Sequence, residues 1–94
     1  MKPCDPSDKY AARFGFLDMN SVHLDDFIQI MELVAKKYEG FFVFKVDGER
    51  KSDIYTFVLN ASSQSNVVLR RDTDNIREGM KFFFCELERA GVYL

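Results

Sequence analysis

The chain has no tryptophan, one histidine, two cysteines, two prolines and no membrane-length apolar run. Each shortage removes a class of function. A lone His23 cannot build a histidine-based acid/base or metal constellation, and Cys4 and Cys85 lie too far apart in sequence for a zinc-binding spacing. Glycine-rich phosphate loops of the GxGxxG or GxxxxGK type are missing. No apolar stretch approaches the ~18–20 residues that a membrane span requires. The opening MKPCDPSDKY is polar and has no hydrophobic region of a leader. Two cysteines without a leader are expected as reduced thiols in a cytoplasmic protein. No cofactor, metal or catalytic group is expected.

What the chain has in plenty is phenylalanine, ten residues among 94. That is a heavy apolar load for one small domain, the only domain this length supports. Residues 1–9, with both prolines and mixed charges, read as a flexible N-terminal tail, and residues 10–94 as a single α+β domain. The formal charge is −2, which gives no overall attraction to nucleic acid or to an anionic membrane.

Three β-type runs occupy the middle: FFVFKV (Phe41–Val46), DIYTFVLN (53–60) and NVVLRR (66–71). A helical pattern lies on each side of them. In the first, Leu24, Phe27, Ile28, Met31, Val34, Ala35 and Tyr38 recur at three- and four-residue steps. Asn20 or Ser21 is the expected cap, Asp25 and Asp26 suit the early turns, and Gly40 suits the left-handed stop. Ile30 and Leu33 lie off this stripe and extend the apolar surface. In the second helix Ile76, Met80, Phe83, Phe84 and Leu87 form the inward stripe. Asp72, Thr73 or Asp74 is expected to start it, Gly91 ends it with Val92 folding back, and Gly79 marks a close approach to the sheet. Residues 10–19, with Phe14 and Phe16 alternating around Gly15, suit a short strand, while a Ser7-Asp8 start followed by Tyr10, Ala11 and Phe14 suits a helical turn equally well; an extra strand or extended arm is preferred.

The expected fold is therefore α+β, a three-stranded antiparallel sheet with two flanking helices in the order α-β-β-β-α. Asp47-Gly48 marks the first turn. A long loop is preferred there because it aligns Phe41–Val46 with residues 54–59, apolar run against apolar run. That order resembles the one found in double-stranded-RNA-binding domains. Those domains carry lysines where this chain reads Asp72, Thr73, Asp74, Asn75, so the charge pattern opposes the likeness.

The strands are apolar on both alternating sides, and unless the helices lie on both sides of the sheet, the second side is left to be covered by residues 10–19, by a second copy of the chain or by another protein. The expected function is a small protein-interaction domain without catalysis, self-associating as a homodimer or acting as an accessory, inhibitor or immunity-type factor. Phe41, Tyr55 and Phe57, with Ile30 and Leu33, are the expected anchors, since aromatics dominate interfaces. The alternative is binding of nucleic acid or nucleotide phosphate by Arg50, Lys51, Arg70, Arg71 and Arg77 around the junction of third strand and second helix. Adjacent aspartates count against it. Two further readings are minor: a cation held by Asp72, Asp74 and Glu78, and a reactive Cys85 between Lys81 and Arg89.

Overall fold

A computed structural model describes residues 5–94. The elements are α1 (Pro6–Arg13), a 3₁₀ turn (Met19–Ser21), α2 (Leu24–Lys37), β1 (Phe41–Val46), β2 (Tyr55–Ala61), the single turn α3 (Ser62–Ser65), β3 (Val67–Thr73) and α4 (Ile76–Ala90). The strands form one antiparallel sheet in the order β1-β2-β3. The longer helices pack on one side of it, giving a slab whose thinnest dimension is 20 Å. The α+β class and the three antiparallel strands match the sequence reading. The full order carries α1 ahead of the expected α-β-β-β-α series and the single turn α3 between its second and third strands.

That extra helix corrects two expectations. Residues 6–9 are not tail but the first turns of α1, and residues 10–13 complete it in place of a strand; residues 1–4 lie outside the described residues. The cause is a full set of local stop and start signals. Asp5 caps the helix by accepting the Ser7 N–H at 2.9 Å, and Pro6 sits in the first turn, where its missing N–H costs nothing. Gly15, at φ 89°, turns the chain so that the Phe16 N–H reaches the Ala11 carbonyl. Tyr10 and Ala11 then bury completely, and the Tyr10 hydroxyl donates to the Val92 carbonyl at 2.8 Å.

Helix α2 is capped by His23, whose N–H is accepted by Asp26 Oδ2 at 3.0 Å. Asn20 and Ser21, the expected caps, belong to the 3₁₀ turn, where Asp18 holds the Ser21 N–H. At the other end the left-handed residue is Glu39, at φ 56°, not Gly40. Gly40 donates to Ala35 O at 2.8 Å and lies against the backbone of Asn60, where a Cβ has no room. Helix α4 starts at Asn75, whose side chain accepts the Glu78 N–H; neither Asp72 nor Asp74 caps it. Its end is as read from sequence: Gly91 is left-handed, Val92 N–H returns to Leu87 O, and Val92 is buried.

Phe27 of α2, Phe83 and Phe84 of α4, and Phe42 and Phe57 of the sheet form the centre of the core, with neighbouring ring centroids 5.5–6.2 Å apart. Tilted and edge-on geometries dominate, as ring quadrupoles favour. Met31, Val34, Leu59, Met80 and Leu87 fill the space between.

Candidate functional site

The strand register decides which side chains share the sheet's uncovered side. Phe41–Val46 pairs with residues 60–55, one residue further than expected. The loop does run long, closed by Asp47 N–H to Ile54 O at 2.7 Å, but it holds one residue more than expected. Asp53 adopts φ 52° and donates its N–H to Asp74 Oδ1 at 2.6 Å, which fixes the exit of the loop. A shift of one residue sends every side chain of a strand to the other side. Tyr55, Phe57 and Leu59 therefore join Phe42 and Phe44 under the helices.

The uncovered side carries Phe41, Val43 and Lys45 of β1, Thr56, Val58 and Asn60 of β2, and Val68, Arg70 and Asp72 of β3, in register across the sheet. Its two ends differ. One is apolar: Phe41, Val43 and Val68 are 53, 44 and 58% exposed. The other is a polar network centred on Asp72, which accepts from Thr56 Oγ1 at 2.5 Å, Arg50 Nη1 at 3.3 Å and Arg70 Nε at 3.2 Å. Those bonds, the Thr56 hydroxyl's first and Arg70's next, lower the Asp72 carboxyl from 3.8 to about 2. Lys45 stands at the rim, 3.9 Å from Asp47.

The expected anchors do not form one patch. Phe41 is on the uncovered side. Phe57 is fully buried among Phe27, Phe44 and Phe83, and Tyr55 stacks on Phe44 on the helix side, the rings 6.1 Å apart and 11° from parallel. Ile30 is buried in the core, and Leu33 is 45% exposed on α2, across the domain from Phe41's side of the sheet. Val43, Val58 and Val68 take the places that the sequence reading gave to Tyr55 and Phe57. Strict alternation along each strand identifies them once the register is known.

The basic residues also disperse. Only Arg50 and Arg70 converge, on Asp72. Arg71 lies on the helix side, paired with Glu78 and stacked 4.8 Å over the Phe82 ring. Arg77 holds the carbonyls of Met19 and Val22 at 3.0 and 2.9 Å, a brace for the chain entering α2. Lys51 is exposed in the β1–β2 loop. The three acidic residues considered for a cation part company in the same way: Asp72 joins its network, Asp74 holds Asp53, and Glu78 holds Arg71. At Cys85 the near neighbour is an acid. Burial and Asp5 Oδ1, 3.5 Å from the sulfur, push the thiol's pKa up, and Lys81 is drawn to Asp5 at 3.6 Å. An environment that disfavours the thiolate opposes nucleophilic use.

A second surface lies on the helix side at the margin of the sheet. Between α2 and β1 runs a groove of about 410 Å³, floored by Ile28, Ala35, Gly40 and Phe42 and rimmed by Glu32 and Lys36. Val46, on the same side of β1, is 57% exposed. Comparison with known protein families, with curated proteins and with solved structures returns no match.

Proposed function

We propose that this chain is a small protein-interaction domain that performs no chemistry itself, acting through self-association or as an accessory, inhibitor or immunity-type factor. One observation carries the reading: a three-stranded sheet has its two long helices, α2 and α4, on one side, and its other side presents Phe41, Val43 and Val68 at one end and charged groups at the other. Apolar residues gathered on a flat surface beside a polar rim are what protein interfaces offer. The helices cannot supply cover, because they are committed to the opposite side. The former candidate for cover, residues 10–19, is used in α1 and the following turn.

Phosphate or nucleic-acid binding is less well supported. Of the five cationic residues it would use, Arg50, Arg70 and Arg71 are matched with carboxylates, and Arg77 is spent on backbone carbonyls.

A photo-crosslinking residue placed at Val68, compared with one at Arg89 on α4, tests the reading in the native host cell. Crosslinks to protein, either to further copies of the chain or to another polypeptide, should form from position 68 and be several-fold fewer from position 89. Equal yields, or crosslinks to nucleic acid alone, would sink it.

A further inference from the structure

The uncovered side of the sheet meets the α2–β1 groove along the outer edge of β1, and the two edges of the sheet are not alike. β3 carries Arg70, Arg71 and Asp72 in its seven residues, and Arg71 is folded over Phe82 beside it. Charges of this kind guard an edge against pairing. β1, FFVFKV, has only Lys45 to guard it and consists otherwise of strong strand formers. The bond from Asp47 N–H to Ile54 O fixes the direction of its amides: Phe41, Val43 and Lys45 turn theirs toward β2, while Phe42, Phe44 and Val46 turn theirs outward. Among the described residues no strand pairs with that outward row.

We infer that β1 pairs antiparallel with β1 of a second copy of this chain, joining two sheets into one of six strands. This goes beyond the proposed function, which rests on the uncovered side: it adds a contact along the outer edge of β1, at the opposite edge of the sheet from Val68, and names a second copy as its occupant. A two-fold axis through Val43 satisfies backbone and side chains together. The outward amides of Phe42 bond to those of the copy's Phe44, and the reverse. On the uncovered side the two Val43 side chains meet, and each Lys45 lies across from a Phe41 ring, so the two ammonium groups stay apart. On the helix side each Val46 falls opposite the copy's Gly40, at the mouth of the groove floored by Ala35 and Phe42. Among the described residues none fills the groove, and Val46 is left 57% exposed. The same symmetry operation supplies both an occupant and a cover, which favours a second copy over an unrelated peptide.

The contact is one short strand and one groove on each copy. A contact of that extent belongs with the small, weak interfaces, for which a dissociation constant of about 100 μM is expected.

Sedimentation equilibrium over about 10 μM to about 1 mM brackets that value. The full chain should move from its 11.0 kDa monomer mass to twice that value. Val46→Pro removes an outward N–H that no bond among the described residues uses, at an edge position that tolerates proline. It should weaken dimerisation at least about tenfold while circular dichroism and melting temperature stay near those of the unaltered chain. Val43→Cys, with Cys4→Ser and Cys85→Ser, places two thiols on a non-hydrogen-bonded antiparallel pair, a spacing that disulfides accept. It should oxidise to a covalent dimer, whereas Val68→Cys in the same background should not. A dimer indifferent to Val46→Pro but abolished by Val68→Glu would overturn edge pairing and leave the uncovered side as the interface. A chain monomeric throughout would overturn the second copy as partner, and crosslinks from position 68 to another protein would then still uphold the proposed function.

Discussion

Gly79 of α4 lies directly over the ring of Phe57 in β2, so close that a Cβ there would overlap three of the ring's carbons. The absence of a side chain at position 79 is thus what lets α4 seat on the sheet. Phe57 cannot yield, since Phe27, Phe44 and Phe83 surround it. Gly79→Ala gains about 1 kcal/mol of helix propensity but overpacks the core by more, typically 1–3 kcal/mol and here at the upper end. The expected net result is a loss of about 1–2 kcal/mol in urea unfolding. A stabilised variant would show that the core relaxes around the methyl group.

The end of α2 offers an opposite pair of outcomes at adjacent positions. Glu39 is left-handed without being glycine, while Gly40 is glycine because Asn60 O leaves no space. Glu39→Gly should stabilise by roughly 0.5–1 kcal/mol, by relief of a conformation that costs a side chain about that much. Gly40→Ala must displace the backbone of β2 and should cost several times as much. Thermal melts of the two variants in parallel test both signs. A stabilising Gly40→Ala would contradict the close packing of that corner.

The places where sequence reading succeeded and failed have physical reasons. α2 and α4 were legible because a 3.6-residue apolar stripe repeats over several turns, and Gly79 and Gly91 were legible because few other roles suit glycine there. α1 is legible only as an alternative to a strand, because its eight residues bury only Ser7, Tyr10 and Ala11 and its Asp5-Pro6 start has the composition of a tail. The register was out by one residue because Asp53 is set by Asp74, a contact across the hairpin's far side that no local pattern encodes. That single residue moved Tyr55 and Phe57 from the expected interface into the core. The uncovered side was nevertheless foreseeable in outline from the doubly apolar strands.

Tyr10 tests whether α1 is integral to the domain. Its ring is buried against Phe14, Phe84 and Tyr93, and its hydroxyl binds the Val92 carbonyl. Burial pushes the hydroxyl's pKa well above the ordinary tyrosine value, so it stays a donor at any working pH. Tyr10→Phe leaves the Val92 carbonyl without this partner at a cost of about 1–2 kcal/mol. Removing residues 1–13 should cost more, since it strips Tyr10, Ala11 and the bidentate Arg13–Glu88 pair together. Equal stability of the shortened and full chains would make α1 an accessory.

Acid sensitivity follows from the network on the uncovered side. Asp72 is lowered from 3.8 to about 2 by the Thr56 hydroxyl and by Arg70 and Arg50, and Asp5 falls to about 2 through its bonds to Ser7. Glu78 beside Arg71 and Glu88 beside Arg13 shift the same way. In each case the folded chain prefers the carboxylate more than the unfolded chain does. Their stabilisation is therefore fully present above the unfolded values near pH 4 and drains away as pH falls toward 2. Solvent screens these groups, so each contribution is modest and the effect is collective. Asp72→Asn keeps the shape, removes the charge, and should lessen the fall in unfolding free energy between pH 4 and 2, with a small loss at pH 7. Chemical denaturation at a series of pH values reads both quantities. An unchanged slope below pH 4 would show that Thr56 and the two arginines hold Asp72 no more tightly than water does.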